Sequence, residues 1–406
     1  MTLRPKSRIH RRCFLAIATL MLVSGIFLMK PMNLTAAEDA PKATAPAKLR
    51  VYVGTYTSAA GSKGIYQTVL DLKTGELGPV ELAGEATSPS FLAIHPTEKY
   101  LYAVMEISEF AGKNAGGVGA FAIDPKTGKL TKLNQQSSGG AGPCHIVVDH
   151  TGKFALVANY SGGSAGTLPI QSDGSLAEMG SFVQHKGTSV DKARQEAPHA
   201  HSINVDAANK FVFVADLGLD KILIYNLGPM TGKLTPNTPA FAAVDAGAGP
   251  RHFAFHPSGK YAYVINEMHC TVTAFTYDAP KGELKSFQTI TTLPNGFDGK
   301  DYSTAEIQVH PTGKFVYGSN RGHHSIAAFS VDSATGKLTA IGNQREGIKT
   351  PRNFGVDPTG QFVIVANQDS NDLVVFKVDQ STGLLKPTGH KAAVPMPVCV
   401  KFLPIH

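Results

Sequence analysis

The chain has 406 residues, including 41 glycines, 25 prolines and no tryptophan, with a formal charge of +7. Residues 1–37 hold six Lys/Arg and no Asp/Glu, so setting them aside leaves the remainder at +1. A near-neutral body has no global electrostatic reason to seek nucleic acid or anionic lipid, and no nucleic-acid partner is expected. Beyond Cys13, the three cysteines Cys144, Cys270 and Cys399 are odd in number and far apart. They form neither a disulfide framework nor a zinc pattern, and a body this long can bury a core without staples.

In chain order, Arg4, Lys6, Arg8, Arg11 and Arg12 precede an apolar stretch from Cys13 to Met29. Thr35-Ala36-Ala37 then offers small residues before Glu38. Basic start, apolar middle and small-residue exit predict a cleaved secretory signal over 1–37. The apolar stretch is marginal for a membrane span, so no stable membrane insertion is expected after cleavage. The mature protein is expected to be exported, periplasmic or secreted. Arg11-Arg12-Cys13-Phe14-Leu15 also resembles a twin-arginine signal. Residues 38–47, rich in Ala, Pro and Lys, read as a flexible tether.

From residue 48 onward one phrase recurs: a Pro-containing entry, a short strand, a His/Asp-Pro-x-Gly-Lys-type turn and an apolar strand. It begins at Ser88, Gly142, His199, Gly249, Ser303 and Thr350, with the turn residue at His95, Asp149, Asp206, His256, His310 and Asp357. The turn residues are 54, 57, 50, 54 and 47 positions apart. Each phrase is followed by a third strand, such as Val118–Ile123, and a second turn, such as Thr231-Gly232-Lys233 or Thr335-Gly336-Lys337. Glycine there supplies the positive φ of a tight hairpin. Four short strands per unit with almost no helical periodicity is a propeller blade. Leu49–Thr55 matches a second strand lacking a first, and Pro397–Pro404 a first strand lacking a second. Joined, they complete a seventh blade, so residues 48–406 are predicted to form an all-β, seven-bladed β-propeller closed by the C-terminal strand. A right-handed β-helix has shorter repeats and would not leave complementary half-units.

The strand order places the first-strand entries and the loops after the second strands on one face. Five residues before the turn stand Ser90, Cys144, His201, Arg251, Ala305 and Arg352. Four before it stand Phe91, His145, Ser202, His252, Glu306 and Asn353. The second-strand loops add Glu106, Tyr160, Asp216, Glu267, Arg321 and Gln368. A mouth of Arg, His and Glu on a rigid scaffold suits an anionic ligand and proton transfer.

The phrases His199-Ala-His201-Ser202, Ala215–Asp220, Gly249-Pro250-Arg251-His252, Ile265-Asn266-Glu267 and Ser319-Asn320-Arg321-Gly322 resemble those of the lactonase-type propellers. That family includes propeller-type 6-phosphogluconolactonases and carboxy-muconate lactonising enzymes. The absence of Trp separates the chain from WD-repeat and tryptophan-docked quinoprotein propellers. The resemblance implies a catalytic Glu at Glu267, a catalytic His at His201 or His199, and substrate-holding Arg251 and Arg321. His252, His145 and Arg352, from the same slots, are expected to bind substrate with them. The expected reaction is water attack on a small anionic sugar-acid lactone, with no cofactor and no metal. The signal raises a conflict, since phosphorylated sugar lactones are cytoplasmic and an exported enzyme would meet a different cyclic ester. A non-catalytic envelope propeller and a lactonising cycloisomerase are the alternatives.

Other motifs have simpler readings. The exchange of His95, His256 and His310 with Asp in one slot implies a structural turn hydrogen bond. His323 and His324 are expected to be solvated. A metal held by His145, His199, His201, His252 and Glu306 is the competing reading of the histidines. Gly162-Gly163-Ser164-Ala165-Gly166 matches a serine-hydrolase pattern, but its loop context lacks the strand-to-helix elbow.

Overall fold

Runs such as Phe211–Asp216 and Phe362–Asn367 are too short for stable helices and rich in Val and Phe, and both are buried along their whole length. A six-residue strand buried on both faces needs neighbours on both sides, and the repeat supplies them. The computed structural model describes residues 46–57 and 61–405. The predicted signal and all but the last two tether residues lie outside the described residues. Among the described residues there are 28 strands in seven four-stranded antiparallel sheets and no helix.

The first strands of the blades are β4 (Leu92–Ile94), β8 (Pro143–Val148), β12 (Ala200–Val205), β16 (Pro250–Phe255), β20 (Ser303–Val309), β24 (Pro351–Val356) and β28 (Pro397–Pro404). Each touches the next, and β28 touches β4, so they form a closed inner ring around a central channel. Closure follows the expected route. β28 pairs antiparallel with β1 (Lys48–Thr55), from Leu49 opposite Pro404 to Thr55 opposite Pro397.

The core lies between blades. Phe213 of one blade stacks on Phe253 of the next, with centroids 5.5 Å apart, and Phe255 and Tyr277 close the cluster edge-on. Hydrogen bonds fix the blade spacing. The second-strand tyrosines Tyr52, Tyr102, Tyr263 and Tyr317 donate to the carbonyls of Gly128, Gly174, Gly336 and Gly383 in the following blade, at 2.8–3.0 Å. Gly336 has φ 71°, and a Cβ there would lie 2.5 Å from the Tyr261 ring, so glycine serves both turn and interblade contact. The turn histidines are structural and reach further than expected. Nε2 of His95, His256 and His310 donates to the next blade's Gly152, Gly313 and Gly360 carbonyls at 2.8–2.9 Å. Asp206, in the same slot, accepts from the next blade's Tyr277 hydroxyl.

One irregularity positions the site. The register between first and second strands skips Cys144, His201, Arg251, Ala305–Glu306 and Arg352, and that between β28 and β1 skips Val398. In a regular strand, consecutive side chains point to opposite faces. A bulge leaves a residue unpaired and re-aims its side chain. The neighbours Arg251 and His252 accordingly line the same cavity.

Candidate functional site

Glu267 follows the second strand of its blade, its N–H donating to Gly249 O at 2.7 Å. Its buried carboxylate gathers three guanidiniums. Arg194 Nη2 donates to Oε1 at 2.6 Å, while Arg251 Nε and Arg321 Nη2 donate to Oε2 at 3.0 and 2.9 Å. Burial alone would raise the pKa of Glu267, but Arg321, Arg251 and Arg194 together override it and hold it at about 2. Two of the arginines are also fixed by backbone: Arg251 Nη1 donates to Ala305 O at 2.6 Å and Arg321 Nη2 to Thr304 O at 2.7 Å. Arg321 Nε is buried without a hydrogen-bond partner. Glu267, Arg194 and Arg321 wall a cavity of about 220 Å³ together with Glu106, Cys144, Tyr160, His201 and Arg352.

Arg194 was not among the residues expected from the sequence. It sits in the loop between Gln184 and Ala200, outside the repeated phrase. Asp191 Oδ1 accepts from the backbone N–H of Ala193 and Arg194. The loop is tied down by Asp220, which accepts from Ser189 Oγ (2.6 Å), Gln195 Nε2 (2.8 Å) and the N–H groups of Gly247 and Gly249 (2.7 and 2.8 Å). Asp220 closes the Ala215–Asp220 phrase, the one signal that touched this loop.

Beneath the arginines, Glu106 accepts from Tyr56 Oη at 3.0 Å and from Ser90 Oγ, and Arg352 Nη2 donates to Tyr56 Oη at 2.9 Å. Tyr56 also escaped the sequence reading, although it follows the strand β1 directly, as Glu106 and Glu267 follow the second strands of their blades. His201 Nδ1 lies 3.6 Å from the Cys144 sulfur. Burial pushes the Cys144 thiol up, so it is no thiolate nucleophile. Burial, then Arg251 and His252, lower His201 well below the usual range and keep it neutral. His252 Nδ1 lies 3.1 Å from Glu306 Oε2, which also accepts from Asn353 Nδ2. Burial raises Glu306 to about 7, against the opposing pull of Lys401 and Arg251.

The structure thus brings Glu267, Arg251, Arg321, Arg352, His201 and His252 to one place. His199 is directed elsewhere: it stacks on Tyr160 at 4.6 Å, its Nδ1 donates to Tyr160 O at 3.1 Å and its Nε2 faces Glu196 at 3.4 Å. His145 is buried against Phe91 and His252, and its Nδ1 accepts from Ile203 N. His323 corrects an expectation. It is buried rather than solvated, bonded to Ser325 Oγ at 2.8 Å and packed edge-on against Phe297 and Tyr302. Ser164 begins a strand and its Oγ accepts from Asn159 Nδ2 at 3.0 Å, a bond repeated by Asn320 and Ser325. Among the described residues no three His, Cys, Asp or Glu side chains are grouped to hold a metal.

A closed seven-bladed ring whose channel mouth gathers arginines, histidines and carboxylates defines a small-molecule site on a propeller scaffold. Residues 50–402 match the family described as lactonase, 7-bladed beta-propeller, and the chain belongs to that family. It is 39% identical over 353 residues to a 6-phosphogluconolactonase of Bacillus subtilis (strain 168), covering 87% of this chain and 97% of that protein. A 6-phosphogluconolactonase of Formosa agariphila is 36% identical over 310 residues, 76% of this chain and 86% of its own. The solved structure of a periplasmic gluconolactonase from Pseudomonas aeruginosa superposes with a TM-score of 0.83 at 30% identity, covering 88% of this chain and all of that one.

Proposed function

We propose that this chain is an exported lactonase that opens a small sugar-acid lactone by water attack, its arginines holding anionic oxygen. The observation that carries this reading is the three-guanidinium cluster on Glu267 at the rim of the 220 Å³ cavity. With Arg352 on the same wall, guanidiniums outnumber the carboxylates Glu267 and Glu106 by four to two. Arg forks recognise carboxylate or phosphate oxygens, and Arg194, Arg321 and Arg352 line the cavity where such an oxygen would sit. Neutral His201 supplies an N–H for the oxyanion that forms as the carbonyl is attacked. Glu267, ionised and engaged at both oxygens, acts in this reading as the anchor of the arginines. The attacking water then loses its proton to another group in the wall.

Export rests on the signal pattern of residues 1–37 and agrees with the word periplasmic in the name of the Pseudomonas relative. It favours an unphosphorylated aldonolactone over the phosphorylated lactone named for the Bacillus relative, because the arginines also suit the carboxylate that ring opening creates. The test is an assay of purified residues 38–406 on aldonolactones with and without a phosphate, followed as acid release. Faster opening of the unphosphorylated set is expected. No acceleration of any lactone, with retained binding of a ligand at this face, would replace the enzyme by a binding propeller.

A further inference from the structure

A second cavity, of about 10 Å³, adjoins the first and shares Glu106, Cys144, His201 and Arg352 with it. Its size admits one water molecule, and its walls include Tyr56, Ser90, Arg251 and His252, enough polar groups to hold one. His252 is the ring of this wall with a carboxylate behind it. Glu306 is buried, takes N–H bonds from Asn353 Nδ2 and from Ile307 N (3.0 Å), and lies 3.1 Å from His252 Nδ1. An ionised carboxylate only accepts hydrogen bonds, so it fixes the proton of His252 on Nδ1 and leaves the lone pair on Nε2.

Resting on the lactonase reading above, we propose that His252 is the base that activates the hydrolytic water in this small cavity and that Glu306 is its positioning residue. The water proton passes to His252 Nε2 as its oxygen bonds to the lactone carbonyl carbon. When the tetrahedral intermediate collapses, the ring C–O bond breaks and the same proton goes to the departing ring oxygen. The product is a hydroxy acid that ionises to a carboxylate beside the arginines. Every proton is accounted for without a covalent intermediate or a co-reactant.

The charges facing this pair set its pH response. Burial first, then Arg251, Lys401 and Arg352, hold His252 well below the usual imidazole range and keep it neutral with a free lone pair, Glu267 opposing them. Burial raises Glu306 against Lys401 and Arg251. The rings of His145 and His201 stand edge-on to His252, at 5.2 and 5.4 Å. Glu306 ionises at about 7, so the Nδ1–H tautomer prevails above that pH. Below it, protonated Glu306 becomes a donor, the tautomer is no longer enforced and turnover falls.

Two measurements on residues 38–406 decide the matter. In protein labelled with ¹⁵N-histidine, His252 should show protonated Nδ1 and bare Nε2 at pH 8, and Glu306→Gln should weaken this preference, because a neutral amide no longer favours the ring N–H by its charge. In kinetics, Glu306→Gln should lower kcat by about a hundredfold with KM nearly unchanged, the usual size for a positioned acid–base group. It should also abolish the acidic limb of the kcat profile. Glu306→Asp, which keeps the charge, should restore part of kcat and the limb, with thermal melts confirming that both variants fold. Wild-type kcat and pH profile in Glu306→Gln would overturn the proposal, and so would an Nε2–H tautomer in the wild type at pH 8. Failure of the wild type to open any lactone would overturn the lactonase reading, and the use of His252 as its base with it. The ¹⁵N spectra would still report separately whether Glu306 fixes the ring.

Discussion

Glu267 stands at the point where three guanidiniums converge, and its charge is what allows Arg251 to be buried and Arg321 largely buried beside it. Two roles are open to such a group, proton acceptor or anchor, and they separate experimentally. A carboxylate held at about 2 is a weak base at neutral pH, which favours the anchor. Glu267→Gln would then leave Arg251 and Arg321 buried without their counter-charge, and breaking a buried pair typically costs about 3–5 kcal/mol. The sign of the pH dependence follows from the depressed pKa. The stabilisation from Glu267 is complete above its unfolded value near 4.5 and is lost as pH falls towards 2. Thermal melts from pH 6 to pH 2.5 should therefore show a shallower acid loss in Glu267→Gln than in the wild type, from a lower starting midpoint. An unchanged midpoint with turnover abolished would identify Glu267 as the proton acceptor instead.

At the scale of loops and strands, the Gln184–Ala200 segment brings Arg194 to the site through contacts made far from it. Asp220 collects four donors, and replacing it by Asn turns one accepting oxygen into an N–H. Asp220→Asn should raise KM about tenfold through a loosened Arg194 while leaving kcat close to wild type, and steady-state kinetics beside Arg194→Ala checks this. An unchanged KM in Asp220→Asn, with KM raised in Arg194→Ala, would show that the loop holds without this anchor. The same elements explain what could be read from the sequence. The slot of Cys144, His201, Arg251 and Arg352 was legible because seven copies of one strand must present equivalent positions to one channel. The bulge that turns those side chains into the channel was not, since a skipped pairing leaves the spacing of the phrase unchanged. Arg194 lies outside the repeat, so no comparison between blades could single it out, whereas Tyr56 directly follows its strand as Glu106 and Glu267 follow theirs and was open to that comparison. Glu306 was visible in its slot, but its role depends on Asn353 and Lys401, which come from other blades. His323 looked solvated because loop position says nothing of Phe297 and Tyr302 packing over it.

At the scale of the whole molecule, the two ends of the chain carry the expectations. The signal pattern predicts a mature protein beginning near Glu38, which N-terminal sequencing of the exported protein would establish. Intact Met1 in a membrane fraction would mean a retained anchor. Ring closure rests on β28, the one strand delivered from the far end of the chain. It pairs with β1 over Leu49–Thr55 and buries Val398, Val400 and Leu403. Each such side chain is worth about 1.5–3 kcal/mol in burial. Together with the lost backbone pairing, this is comparable to the whole stability of a typical domain, about 5–15 kcal/mol. Deleting residues 395–406 also uncovers β1, whose buried run from Leu49 to Thr55 becomes an open sheet edge. The damage should not stay local, since β28 touches both β24 and β4 and removing it breaks the inner ring. The truncated protein should melt at least about 10 °C lower, or fail to fold, and should associate through the exposed edge. Calorimetry with light scattering measures both, and an unchanged midpoint in a monomeric truncated protein would show that the ring does not depend on this strand.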